Sequence, residues 1–206
     1  VYKRQMLNTK SISAGSSGKS SLKKDPDWML FMKRFLASPT RVGSIIPSSP
    51  FLAQKMIRKE DVDLCKNIVE LGAGTGIFTK YLLDCKSNKC DLYVFEKDPQ
   101  FAECLQTKFP YIKLYEDAAN LETMAQNGEI GQPDLVVSGI PFAVLEMSLR
   151  NKILEGVHEV LPEGGKFVTF QYSLDLLSDL KRLYKSVELE FVLLNIPPAV
   201  IYRCTK

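Results

Sequence analysis

Apolar residues recur along this chain in two alternating patterns. Short, predominantly apolar runs (Ile68 to Leu71, Leu92 to Phe95, Ile112 to Tyr115, Pro133 to Ser138 and Lys166 to Tyr172) have the length and the β-branched or aromatic content of strands buried on both faces. Between them lie stretches of helical spacing: Phe78 to Leu83, Asp98-Pro99 to Phe109, a segment near 118–126, and one with Leu145, Leu149, Ile153, Val157 and Val160 on a single face. Ser49 as N-cap with Pro50 at the first helical position predicts a further helix to about Arg58, ahead of the first strand. A short helix over about 174–184 then leads to Val187–Leu194 and Ala199–Cys204, two runs joined by Asn195-Ile196-Pro197-Pro198 that read as a closing hairpin. Strands alternating with helices predict an α/β, Rossmann-like parallel sheet over residues 48–206.

The segment before that domain has a different character. Residues 1–21 are polar, rich in Ser, Gly and Lys and without a hydrophobic period, so a disordered basic tail is expected. Gly15 to Ser20 resembles the end of a phosphate loop, but Ser13 stands where the first glycine should be and no strand precedes it, which makes it a linker. Within 22–47, Asp25-Pro26 starts a helix in which Trp28, Phe31, Met32, Phe35 and Leu36 form one stripe with Lys33 and Arg34 beside it, until Ser38-Pro39 ends it. Such a stripe suits either the domain's own core or a bilayer interface. The interfacial Trp and the flanking Lys23, Lys24, Lys33 and Arg34 favour lipid. The loop Val42 to Pro50 is expected to fold over the methionine end of a cofactor. Charge sharpens the contrast: residues 1–45 carry nine Lys/Arg against two Asp, a net +7, leaving −4 on the remainder. A basic arm on a mildly acidic domain points to a polyanionic partner, a phospholipid surface or a nucleic acid.

The chemistry gathers where the first strand runs into Gly72-Ala73-Gly74-Thr75-Gly76. A strand, a glycine turn and a helix make a mononucleotide-binding corner, because residues without Cβ let backbone N–H groups approach a ligand. The spacing departs from the dinucleotide fingerprint: the glycine after Gly74 comes one residue early and Ile77 holds the third glycine's place. Glu70, two residues before Gly72, would oppose a pyrophosphate but suits S-adenosylmethionine, with its sulfonium and α-ammonium. Twenty residues past Gly76, Glu96 ends the second strand, placed to accept from both ribose hydroxyls. Asp117 and Ala118, after the third strand, could receive the adenine, with Asp117 as an ordinary N-cap the lesser alternative. The expected cofactor set is Ser48, Ser49, Glu70, Gly72, Ala73, Gly74, Thr75, Gly76, Glu96, Lys97, Asp117, Ala118 and Ser138. Gly139-Ile140-Pro141-Phe142 follows the fourth strand and should line the transfer site, with Phe142 and Tyr172 as an aromatic wall tolerant of cations. Ile140, Pro141, Phe142 and Tyr172 are the expected catalytic residues, Tyr172 also as a proton relay, though a phenol with a pKa of ~10 is a poor base at neutral pH.

Other chemistries are disfavoured. Five cysteines, odd in number and without a C-x-x-C pair, and the single histidine His158 argue against a metal site and for a reducing, cytosolic compartment. His158 lies off the main apolar stripe of its helix and is assigned no chemistry. No apolar run approaches the ~18 residues of a spanning helix, and no signal peptide is visible.

From Trp28 onward the chain resembles bacterial phospholipid N-methyltransferases of the class I S-adenosylmethionine-dependent superfamily, relatives of the rRNA adenine dimethylases. The resemblance rests on Val42-Gly43-Ser44-Ile45-Ile46-Pro47-Ser48-Ser49, the glycine motif at 69–76, Ser138 to Phe142, and Asn195-Ile196-Pro197-Pro198-Ala199. It implies a seven-stranded sheet with its final strand inserted antiparallel, plus an N-terminal amphipathic helix. It also implies methylation of phosphatidylethanolamine toward phosphatidylcholine by a protein peripheral on the inner membrane face, with an anionic membrane surface as partner. A monomer is expected. The rRNA adenine dimethylases have Asn where this chain has Gly139, and in them that amide helps to hold the target amine. Gly139 therefore disfavours a nucleic-acid partner. Ornithine lipids or another amine could also serve as acceptor, and a protein that only binds the cofactor is a third reading.

Overall fold

Strands built of apolar residues on both faces must be covered on both faces, and that requirement sets the architecture. The computed structural model describes residues 50–193, 195 and 197–206. The expected tail, the Asp25–Leu36 stripe with Lys23, Lys24, Trp28, Phe31, Met32, Lys33, Arg34, Phe35 and Leu36, the 42–49 loop, Ser48 and Ser49 lie outside the described residues. In chain order the elements are α1 (Pro50–Met56), α2 (Lys59–Val62), β1 (Asn67–Leu71), α3 (Ile77–Cys85), β2 (Asp91–Phe95), α4 (Pro99–Lys108), β3 (Lys113–Tyr115), α5 (Leu121–Gln126), β4 (Leu135–Ser138), α6 (Met147–Val160), β5 (Lys166–Gln171), α7 (Leu177–Leu183), β6 (Ser186–Val192) and β7 (Ala199–Thr205). The sheet order is β3-β2-β1-β4-β5-β7-β6. β1 to β5 pair in parallel, while β7 runs antiparallel between β5 and β6, as the resemblance implied.

Alternate residues of each strand feed two cores. Ile68, Leu92, Val94, Leu135, Val137, Val168 and Phe170 pack under α1 to α4, with Leu52, Met56, Phe78, Leu82 and Leu105. Val69, Leu71, Tyr93, Phe95, Val136 and Phe167 face α5 to α7, against Leu121, Ile153, Val157 and Leu180. At ~1.5–3 kcal/mol for each large apolar side chain removed from water, these two layers are the main favourable term holding the fold.

Several expected boundaries shift for identifiable reasons. The helix expected from Pro50 to Arg58 breaks into α1 and α2, with Arg58 extended at φ −83° and ψ 134°. The guanidinium of Arg203 on β7 takes the last carbonyls of α1, donating to Met56 O at 2.9 Å and to Lys55 O. The helix expected near 118–126 opens as a 3-10 turn, Ala118–Asn120, before α5. α6 begins only at Met147, so Leu145 sits in an extended turn ahead of it, still packed on the second core.

Candidate active site

The parallel strands bring their carboxyl ends to one edge, and the loops there contain most of the residues singled out in the sequence. The glycine loop turns sharply because Gly72, Gly74 and Gly76 all have positive φ, 72°, 54° and 83°. It is tied to its neighbours: Gly72 and Ala73 N–H donate to Phe95 O at 2.8 and 3.2 Å, and Gly139 N–H to Leu71 O at 2.8 Å. The loop after β4 comes so close that a Cβ on Gly139 would lie 2.7 Å from Gly72 O, and one on Gly72 would lie 2.9 Å from Ile140 Cγ1. Gly139 is thus where the two loops touch, which gives its missing side chain a structural reason.

Glu96, at the end of β2, accepts from Gly74 N–H at 2.7 Å through one oxygen and from Asp98 N–H at 2.8 Å through the other. Burial pushes its carboxyl above the ordinary range while these N–H donors pull it back. A carboxylate has about four acceptor positions, so Glu96 keeps acceptor capacity for a ligand's hydroxyl beside its backbone donors. Asp117 caps the 3-10 turn, accepting from Ala119 N–H at 2.9 Å, and its other oxygen lies 3.4 Å from Lys97 Nζ. The capping reading is therefore realised, and Lys97 and Asp117 form a partly exposed pair beside Glu96.

Glu70 differs from the sequence expectation. It is fully buried on β1, facing Thr79 of α3, and neither oxygen has a hydrogen-bond partner; Thr79 Oγ1 also has none. Burial pushes its carboxyl up to about 8, with Thr79 lowering it and the neighbouring charge of Glu96 adding to the rise. In the free protein it is thus mostly neutral at pH 7, a correction to the fixed negative charge expected from the sequence. An acid with unsatisfied oxygens beneath the glycine loop still fits a cationic ligand, whose charge would favour ionisation.

The expected aromatic wall does not form. Phe142 is fully buried in the core facing α5 to α7, edge-on to Phe167 at 6.5 Å. Tyr172 packs on the other face, against Phe170 at 5.6 Å. Burial raises the Tyr172 phenol further, with a side-chain hydrogen bond from Asn195 opposing, so it is no base at neutral pH. Ile140 and Pro141 do line the carboxyl edge, and the sequence reading missed what holds them. Ser138 Oγ accepts from Ile140 N–H at 3.2 Å, Thr169 Oγ1 donates to Ser138 O at 3.2 Å, and Gln171 Nε2 donates to Ile140 O at 3.0 Å. Thr169 and Gln171 are buried polar residues in a strand whose other buried positions are apolar. That mismatch, at the carboxyl end of β5, was the available signal. His158 lies near the C-terminal end of α6, toward the opposite edge, against the Tyr184 ring at 5.4 Å. Among the described residues no cluster of His, Cys, Asp or Glu could hold a metal ion.

Taken together, the strand order with its inserted antiparallel strand, the glycine loop and the acid at the end of β2 define a class I S-adenosylmethionine-dependent methyltransferase. The family model for ribosomal RNA adenine dimethylases matches residues 38–162. An ornithine lipid N-methyltransferase of Singulisphaera acidiphila is 33% identical over 186 residues, covering 86% of this chain and 95% of that one. The ribosomal RNA small subunit methyltransferase A of Chlorobium chlorochromatii is 32% identical over 140 residues, 60% of this chain and 52% of its own length. Among solved structures, a precorrin-6y C5,15-methyltransferase from Geobacter metallireducens superposes with a TM-score of 0.62 at 18% identity, covering 79% of this chain and 93% of that one, a likeness of fold alone. The chain belongs to the ribosomal RNA adenine dimethylase family and is an S-adenosylmethionine-dependent N-methyltransferase.

Proposed function

We propose that the protein methylates the amine of a membrane lipid, phosphatidylethanolamine in the first instance, on the way to phosphatidylcholine. The observation that carries the reading is the similarity to an ornithine lipid N-methyltransferase along nearly the whole of both chains, whereas the rRNA methyltransferase is matched over about half its length. The same observation supports the ornithine lipid amine equally as the acceptor. Gly139 offers no amide acceptor at the transfer site, which suits an aliphatic amine better than an adenine; its crowding against Gly72 O is a separate, structural reason for the glycine.

Glu96 would hold the ribose, Lys97, Asp117 and Ala118 would flank the adenine, and Glu70 with Gly72 to Gly76 and Ser138 would enclose the methionine end, completed by Ser48 and Ser49. S-adenosylmethionine supplies an electrophilic methyl group. The chain's part is to align donor and acceptor and to exclude water, the main requirements of an in-line displacement. Ile140 and Pro141, fixed by Ser138 and Gln171, form the wall along which the acceptor amine lies. Tyr172 keeps its hydroxyl protonated and takes no proton from the amine. The amine must reach the site as the free base, since an ammonium has no lone pair. The enzyme works at the inner face of the membrane, held there by the basic arm and the Trp28–Leu36 stripe.

Purified protein supplied separately with phosphatidylethanolamine and with ornithine lipid, followed by mass spectrometry of the lipids, tests the acceptor. Mass gains of one or more methyl groups on phosphatidylethanolamine support the first acceptor. Gains on ornithine lipid alone replace it with the second.

A further inference from the structure

The sheet ends on β6, and one face of that edge strand is left uncovered near the active site. Phe191 is 60% exposed, Leu193 just beyond the strand 75%, and Leu189 36%. Leu174, 48% exposed, adjoins them, because Tyr202, paired with Leu189, donates its hydroxyl to Ser173 O at 2.9 Å. Of the charged residues around the patch, Glu190 is turned away and Asp175 is exposed beside Leu174. Glu190 points to the other face, held by Lys55, Arg58 and Arg203, and Asp175 accepts from Ser173 Oγ at 2.8 Å.

The position of this patch matters more than its area. β6 is parallel to β5, so its carboxyl end lies at the same edge as the glycine loop. Phe191 pairs with Val200, and Val200 with Gln171, the residue that holds the Ile140 carbonyl. Two strand spacings of ~4.8 Å put Phe191 about 10 Å from the strand that fixes the acceptor wall. The turn is also joined to the site from within: Asn195 is buried, donates to Pro197 O at 2.8 Å, and is hydrogen-bonded to the Tyr172 side chain.

We infer that the β6–β7 turn is a second bilayer contact, with Phe191 and Leu193 dipping into the acyl boundary while Asn195 and Tyr172 keep the cleft at headgroup depth. The inference rests on the lipid-acceptor reading. A lipid amine stays tethered at the bilayer surface, so the wall around Ile140 must be brought to that surface. An uncharged apolar turn on the same edge does this without an attraction to anionic headgroups. It would act in addition to the basic arm.

The test is flotation of the full chain with vesicles of phosphatidylcholine and phosphatidylethanolamine, which lack anionic lipid and so reduce the arm's contribution. Phe191→Ser with Leu193→Ser changes two exposed side chains, and thermal melting and cofactor binding should match wild type. Vesicle binding is expected to fall about tenfold or more, since two large apolar side chains no longer leave water. Turnover on vesicle lipid should fall in parallel, while turnover of a dispersed short-chain phosphatidylethanolamine is kept. The apolar pair Phe191→Leu with Leu193→Met should restore binding. The inference is overturned if the serine variant floats like wild type, whether because the patch is covered by the arm or because it joins two copies of the chain. Equal loss on the short-chain substrate would also overturn it, since that makes the turn part of the acceptor pocket. Failure of the lipid reading shows separately, as a wild-type protein that methylates RNA and neither lipid.

Discussion

The most consequential single residue is Glu96, because its two oxygens tie the glycine loop to the start of α4 and still have room for ligand hydroxyls. Glu96→Ala should weaken S-adenosylmethionine by ~1–3 kcal/mol, the loss of a charged acceptor. Calorimetry showing unchanged affinity would remove it from the site. Glu70 makes a prediction about pH. Its folded-state value of about 8 lies above the ordinary 4.5, so between these values the folded chain keeps a proton that the unfolded chain has lost. Stability should therefore be greatest at the acid end of that window and fall as pH rises toward 8. Glu96 is raised as well and adds to the same trend. Thermal melts of Glu70→Gln should show a shallower pH dependence than wild type. An identical slope would mean that Glu70 ionises freely in the fold.

Among the elements, the loops after β1 and β4 meet backbone to backbone at Gly72 and Gly139. Gly139→Ala would put a methyl carbon 2.7 Å from a backbone oxygen, and both loops would have to shift. The expected cost is ~1–3 kcal/mol in urea unfolding, with a loss of cofactor affinity. A variant as stable and as tightly binding as wild type would show that the two loops separate at no cost. Elements of this kind also mark how far the sequence could be read. The strands and their order of alternation with helices were legible because each apolar run is short and bounded by turn residues. Asp98 was legible as a cap because it precedes Pro99, and it does accept from Gln100 and Phe101 N–H. The break between α1 and α2 was not, since it depends on Arg203, 147 residues further along. Nor was the burial of Phe142, since Pro141 precedes a 3-10 turn and no strand period assigns the ring to a face. The acid at the end of β2 was found by spacing, but that Gly74 N–H already uses one of its oxygens is a fact of loop geometry.

At the scale of the whole molecule, the charge asymmetry and the exposed turn are the features on which the proposed meeting of site and membrane surface rests. Among the described residues no helix is long and apolar enough to cross a membrane. Phe31→Glu with Phe35→Glu should lower sedimentation with anionic vesicles by about tenfold or more and leave cofactor affinity unchanged, because neither residue belongs to the expected cofactor set. Wild-type binding should weaken with salt, as attraction between basic residues and headgroups falls off within a Debye length of ~10 Å at 0.1 M. A double variant that sediments as well as wild type, or that fails to fold, would make the stripe a core element of the domain.

The central claim is the identity of the acceptor, and one competition measures it most directly. The protein is incubated with S-adenosylmethionine carrying a labelled methyl group in the presence of both mixed bacterial lipids and ribosomal RNA, and the two fractions are separated and counted. Label in the lipid fraction, as methylated phosphatidylethanolamine or ornithine lipid, is the predicted result. Label in the RNA as N6-methyladenine, with none in the lipid, would contradict it.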